Sequence, residues 1–262
     1  MNKILYAFLT MASLASCAGS YDIHGSSNMS MLDDKKLYLK VFSGNDMKNI
    51  DSCDVVHGKF FFKGSLDSIR LATLFMDEES LLPVVLENGE ISVKIDDNLQ
   101  MASGTPLNDR LAEFLKEYTK LSNEFNELGR KQSQAIMNGE DESEINVRLN
   151  QEAARLIDEE DKLVTGFITE NFDNVLGPGV FFMLTAGNRI PELSPWIEDI
   201  MSKATENFKN DAYVKQYYKA AKQNEALMNG TAEPAQMPPP ANAPLPQTPT
   251  PNQLAAPTDS AH

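Results

Sequence analysis

Ser103-Gly104-Thr105-Pro106 separates two kinds of apolar pattern in this chain, and the separation sets the fold class. On its C-terminal side, apolar side chains recur every three or four residues: Leu107, Leu111, Phe114, Tyr118, Leu121, Phe125 and Leu128. That spacing is one face of a helix about three heptads long. Thr105 stands where an N-cap belongs, and Pro106 fits the first helical position, where its missing N–H is not needed. On the N-terminal side the period is two. Ile91, Val93 and Ile95 alternate with Ser92, Lys94 and Asp96, as in a strand with one buried face.

The same alternation continues upstream. In Lys36-Leu37-Tyr38-Leu39-Lys40-Val41-Phe42, the residues Leu37, Leu39 and Val41 share a face. Val55-Val56-His57-Gly58-Lys59-Phe60-Phe61-Phe62-Lys63-Gly64 reads as two strands around a His-Gly turn. Glycine supplies positive φ there and histidine tolerates it, which accounts for His57 without any catalytic role. Residues 69–76 and 81–87 add two strands, and Asn88-Gly89 is the strongest turn dipeptide of the chain. About six to eight short strands at this spacing predict a small antiparallel sandwich or barrel.

Downstream, Asn138-Gly139-Glu140-Asp141 breaks the first helix. Ile145, Leu149, Ala153, Leu156, Leu163 and Phe167 then form a second stripe, so the two helices should pack as an antiparallel hairpin. Glu159-Glu160-Asp161-Lys162 reads as a solvated face rather than a catalytic carboxylate pair. Gly177-Pro178-Gly179 opens an apolar helix over 180–186, and Ser194-Pro195 starts another that carries Trp196. A last helix over about 205–228 bears Phe208, Tyr213, Tyr217 and Tyr218, a stripe read as core. From Thr231 onward the chain holds nine of its 14 prolines, no aromatic residue and little charge. Such a segment buries too little apolar surface to offset its ordering entropy and is expected to be disordered, with polyproline II character. The expected architecture is α+β, with an antiparallel β-domain over 17–104 and a helical hairpin with further helices over 105–229. A disordered Pro-rich tail follows over 230–262.

Residues 1–16 read as a signal peptide: Lys3 is the positive start, and an apolar run from Ile4 to Ala15 is too short to span a bilayer. The run closes on Leu14-Ala15-Ser16-Cys17, which resembles the lipobox of bacterial lipoproteins. That resemblance implies a diacylglycerol thioether on Cys17, cleavage just before it, and acylation (palmitate or similar) of the new amine. Two or more acyl chains anchor a protein stably. Ala18 follows the cysteine where an aspartate would be the family's inner-membrane retention signal. The expected location is therefore the outer membrane, facing the periplasm.

The formal net charge of −15 argues against nucleic acid and anionic lipid headgroups as partners, since both need clustered Lys and Arg. Of the two cysteines, Cys17 is consumed by lipid, which leaves Cys53 as a possible free thiol with no disulfide partner and no C-x-x-C. Such a thiol is either buried and inert or exposed and reactive. The three histidines, His24, His57 and His262, lack the spacing of a helical metal pair. No catalytic, cofactor or metal motif emerges.

Tyr21-Asp22-Ile23-His24-Gly25, Asp51-Ser52-Cys53-Asp54-Val55, Gly58-Lys59-Phe60-Phe61-Phe62-Lys63-Gly64, Leu86-Glu87-Asn88-Gly89 and Ser103-Gly104-Thr105-Pro106-Leu107-Asn108 occur in this order. They resemble the N-terminal domain of unknown function of Bacteroidetes lipoproteins of the thiol-disulfide interchange (thioredoxin-like) type. More weakly, Glu170-Asn171-Phe172-Asp173 is similar to a helix junction of those proteins. The resemblance implies a fold rather than a chemistry. Typical members carry a thioredoxin-like domain with C-x-x-C after the helices. Here no such motif follows, and dithiol exchange needs two thiols.

The expected function is that of a non-enzymatic, lipid-anchored interaction module of the cell envelope, with an envelope protein or the cell wall as partner. The alternative is an accessory or degenerate member of a periplasmic thiol-disulfide system, for which an exposed Cys53 of low pKa would be the sign. A third option is a polysaccharide or peptide binder, whose sign would be an aromatic-lined cleft between the β-domain and the helices. Cys17→Ser is expected to abolish palmitate labelling and to release the protein from the membrane fraction or leave it uncleaved. Processing and anchoring like the parent chain would refute the assignment.

Overall fold

The alternating stretches upstream of Ser103 become eight strands in the computed structural model, which describes residues 19–43, 46–97 and 100–231. The leader 1–16, Cys17, His262 and the tail beyond Thr231 lie outside the described residues. The strands are β1 (Gly19–Ser27), β2 (Lys36–Ser43), β3 (Asp46–Asp54), β4 (Lys59–Leu66), β5 (Arg70–Met76), β6 (Glu79–Leu86), β7 (Gly89–Ile95) and β8 (Gln100–Ser103). They form two four-stranded sheets in the orders β4-β1-β7-β8 and β3-β2-β5-β6. Inward residues of both sheets, among them Ile23, Phe60, Phe62 and Ile91 from the first and Leu37, Leu39, Leu74 and Val84 from the second, make one apolar core. The pairing is antiparallel except between β1 and β7, which run parallel. Alternation is the same in either kind of sheet, so it does not report strand direction.

Both strong turn dipeptides carry the chain from one sheet to the other. Val56-His57-Gly58-Lys59 closes a two-residue turn with φ of 50° at His57 and 68° at Gly58, and Val56 and Lys59 exchange both backbone hydrogen bonds at 2.8 and 3.0 Å. Beyond that turn β3 and β4 part into different sheets. Asn88-Gly89 likewise does not close a hairpin: it carries the chain from β6 in one sheet to β7 in the other.

Downstream lie α1 (Pro106–Met137), α2 (Glu142–Glu170), α3 (Leu176–Thr185), α4 (Pro195–Lys203), α5 (Glu206–Asn210) and α6 (Ala212–Met228). The expected last helix is two, because Asp211 leaves helical geometry and its carboxylate accepts from Tyr213 N and Val214 N to cap α6. Helix α3 starts earlier than expected, at Leu176, and takes Gly177-Pro178-Gly179 into its first turn. Gly179 lets α3 lie close on the sheet: a Cβ there would come 2.5 Å from Leu71 Cδ2 on β5 and force that side chain to shift. Asp141 caps α2 through Ser143 N and Glu144 N. Ser194 holds the N-cap position of α4 but makes no cap bond. A second core joins the base of the α1–α2 hairpin to α3–α6, with Leu111, Phe114, Ile168, Phe181 and Phe208 at its centre and Val85 of β6 included.

The seam between the layers is a buried polar clasp. Asn108, 1 % exposed, lies at the start of α1 against the outer edge of β6. Its amide behaves as another strand would: Oδ1 accepts from Val85 N at 2.9 Å and Nδ2 donates to Val85 O at 2.7 Å. Glu87, also buried, turns its Oε1 onto the first turn of α1 and accepts from Leu107 N at 2.8 Å and Asn108 N at 3.0 Å. The cap expected from Thr105 is thus supplied by Glu87, while Thr105 Oγ1 accepts from Asn108 Nδ2 at 2.8 Å. A carboxylate at a helix N-terminus meets both the unpaired N–H groups and the positive end of the helix dipole. Asn108→Ala strands two buried backbone groups of Val85, each worth about 1–3 kcal/mol. The thermal midpoint should fall on the order of 10 °C. Asn108→Leu, which restores volume but no hydrogen bond, should recover little of it. A drop of only a degree or two in calorimetry would show the clasp to be incidental.

Candidate functional site

The outward residues of β2 are Tyr38, Lys40 and Phe42, in alternation with buried Leu37, Leu39 and Val41. Phe42, near the end of the strand, meets the helices. Its ring centroid lies 4.6 Å from that of Phe182 on α3 and 5.6 Å from that of Tyr213 on α6. Phe182 and Tyr213 are 4.8 Å apart and almost perpendicular, the edge-to-face contact aromatic quadrupoles prefer. Tyr213 shares a 3.0 Å hydrogen bond between its hydroxyl and Thr185 Oγ1, and burial pushes its phenol above the usual range. These three rings line a cleft of about 890 Å³ between the β3-β2-β5-β6 sheet and the helical layer.

One wall of the cleft is β3. Leu39 pairs with Asp51 and Lys40 with Asn49, which leaves Ile50 as a bulge residue, 42 % exposed. The bulge turns this edge strand away from further pairing. Lys48, Asn49 and Arg70 lie on the same side, and Asp173, Asn174, Asn207 and Asp211 on the helical side. Several of these are committed: Asp173 accepts from Thr205, Asn174 bonds Asn171, and Asp211 caps α6. Among the described residues, Lys48, Asn49 and Asn207 make no side-chain hydrogen bond or ion pair. The lining includes neither a histidine nor a cysteine. It offers apolar faces, free amides and balanced charge, which is chemistry for holding a ligand.

The sequence candidates lie elsewhere. Cys53 is a free, half-buried cysteine on β3, opposite Leu37 and packed against the sandwich core. Its thiol is pushed up to about 11, chiefly by burial, with the charges of Asp51 and Asp54 adding to it. His57 sits in its turn, as its neighbour glycine suggested. His24 is on the outer face of β1 with its ring edge against Phe61 and Nε2 3.1 Å from Asp22. Glu159 and Lys162 pair with Arg155 and Asp158 on the surface of α2, a solvated face as expected. The tyrosine stripe divides: Tyr217 is buried in the helical core, whereas Tyr213 reaches the cleft. Phe182 lay unnoticed inside an apolar run, where nothing in the spacing sets it apart from its buried neighbour Phe181. Among the described residues no group of three or more His, Cys, Asp or Glu could hold a metal ion, and no helix is long and apolar enough to cross a membrane.

Residues 21–111 match the family described as Domain of unknown function (DUF4369). The match spans the sandwich and the start of α1, so it takes in the clasp and the sheet wall of the cleft but not its helical wall. No curated protein matches this chain.

With a thiol near 11, about one Cys53 in a thousand is ionised at pH 8. Iodoacetamide at that pH should modify the folded protein at least tenfold more slowly than the urea-unfolded chain, and the folded rate should climb steadily to above pH 10. Equal rates in the two states would mean a reactive thiol. The raised pKa makes the folded state hold its proton longer, so this group's effect on stability is a loss as pH rises from about 9 to 11.

Proposed function

We propose that this protein is a non-catalytic, lipid-anchored binding module of the cell envelope, with the cleft between sheet and helices as its ligand seat. The observation that carries the reading is the cleft itself, with Phe42, Phe182 and Tyr213 in its lining and uncommitted Lys48, Asn49 and Asn207 around it. Concave sites of this size with a few convergent polar groups are the usual seats of ligands. Rings that offer apolar faces beside free amides suit a cell-wall polymer rich in hydroxyl and amide groups. The anchor is supported by the leader that ends in Leu14-Ala15-Ser16-Cys17. Strand β1 begins at Gly19, so a lipid on Cys17 would hold the sandwich close to the bilayer, facing the periplasm from the outer membrane. The alternative, an accessory of a thiol-disulfide system, draws on the resemblance of the sandwich domain, and Cys53 with its raised pKa lends it no support.

The test is retention on purified cell-wall sacculi. The parent chain should be retained, and Lys48→Ala combined with Asn207→Ala should weaken retention at least fivefold without moving the thermal midpoint, since neither side chain has a partner among the described residues. A parent chain that ignores sacculi, or a double variant retained as well as the parent, would sink the reading. Capture of an envelope protein instead, through the same cleft residues, would identify a peptide binder.

A further inference from the structure

Beyond the body of the protein, the α1–α2 hairpin continues as an arm with only a thin core of its own, in which Leu128, Ala135, Ile145, Leu149 and Leu156 are buried. The arm has two unlike faces. At 100° per residue, one flank gathers the charges, which pair across the hairpin: Lys131 with Glu152 at 2.7 Å and Arg155 with Glu124 at 3.9 Å. Arg155 also meets Glu159 at 2.7 Å on the same side. Between Ser122 and Met137 on α1 and between Ser143 and Ile157 on α2 the opposite flank carries no charge, and Asp158 and Asp161 lie just past Ile157 at its base. From α1 it presents Ser122, Phe125, Asn126, Gly129, Ser133 and Ile136. From α2 it presents Ser143, Val147, Asn150, Ala154 and Ile157. Phe125, Ile136, Val147 and Ile157 are 43, 51, 56 and 50 % exposed. In a protein of net charge −15 this is an unusual stretch of surface.

The face is also grooved. A hollow of about 240 Å³ runs along the seam between Phe125, Gly129 and Gln132 on one helix and Asn146, Asn150 and Ala153 on the other. Gln132 Nε2 donates to Asn146 Oδ1 across it at 2.9 Å, and a Cβ placed on Gly129 would meet open space. A two-helix layer with an open seam is half of a four-helix bundle.

We propose that this face is the site of self-association, in which two arms pack antiparallel as a two-fold four-helix bundle. A second copy fits for three reasons. In an isologous contact residue i meets residue j and j meets i, and residues on the axis meet their own counterparts, so an uncharged patch spares a strongly acidic chain like-charge repulsion at the axis. The order of side-chain sizes is self-complementary: Phe125 and Ile157 stand at the base of the arm, Ile136 and Val147 near its tip, and the small centre at Gly129 and Ala153 falls on the axis. Antiparallel arms therefore set large ends against large ends and let the backbones close in at the middle. Finally, 16 residues from Ser122 to Met137 extend about 24 Å, and two helices span about 20 Å. The footprint is roughly 500 Å² per copy, about 1,000 Å² for the pair, where specific interfaces begin.

The experiment is sedimentation of the full chain in mild detergent, with Asn150, near the axis, as the probe. The parent chain should sediment at twice the single-chain mass. Asn150→Asp and Asn150→Lys, each alone, should raise the dimer dissociation constant at least tenfold while the far-UV circular dichroism of the folded chain stays unchanged, and an equal mixture of the two should restore the dimer. A parent chain monomeric at hundreds of micromolar overturns the proposal, as does a dimer indifferent to both variants. A monomer that takes up an apolar helix of another protein on this face overturns it too, in favour of a different occupant.

Discussion

The two layers of this molecule depend on one asparagine and one glutamate. Strand β6 is the last of its sheet, so its outer edge carries backbone groups with no neighbouring strand. A buried edge of this kind is costly unless it is paired. The side-chain amide of Asn108 is among the few groups that can serve as both donor and acceptor in the geometry of a peptide. It meets Val85 through both bonds, and Glu87, two residues further on, closes the start of the same helix. The direction of α1 is thereby fixed at its first turn, and everything downstream is positioned from it. Val85 also belongs to the helical core, so the polar clasp and the apolar contact reinforce each other at one point.

From that point the helical layer spreads along a single outward row of the sheet. Val85 pairs with Leu71, and Phe42 follows Val41, which pairs with Ala72. Met47 pairs with Phe42 on β3. Leu71 carries Gly179 of α3, and Phe42 carries Phe182 and Tyr213. One row further, the outward residues are Lys40, Thr73 and Pro83. Lys40 places its ammonium 4.4 Å from the ring centroid of Phe75, a cation over an aromatic face.

The sequence made legible what depends on periodicity and left open what depends on partners. Period-two stretches became strands and the heptad stripes became the hairpin, because burial of one face is a local property written along each element. The His57-Gly58 turn was readable since its φ values are set by two residues alone. Asn88-Gly89 permits a tight turn but cannot say which sheet the next strand joins, and β1 pairs parallel with β7, a strand some seventy positions away, which no local pattern encodes. The cap of α1 escaped for the same reason: Thr105 is adjacent in sequence, yet Glu87 is the group that arrives in space. Tyr213 and Tyr217 are one helical turn apart and identical in type, and only the angle at which α6 crosses the sheet sends one to the cleft and the other to the core.

The cleft follows from these constraints more than from any one residue in it. A four-stranded sheet is wider than the helical layer that rests on its last row, so a gap must open on the β2–β3 side. Longer side chains or pairing of the edge strand would close such a gap. Here the bulge at Ile50 lies on the β3 side of the gap, and Tyr213 packs edge-to-face against both Phe42 and Phe182, whose own rings are tilted at 38° to each other. Each ring spends one face or edge on its neighbours, and around the cluster Lys48, Asn49 and Asn207 have no side-chain partner among the described residues. Under the reading proposed above, a cleft already shaped by its own packing would lose little conformational freedom on binding.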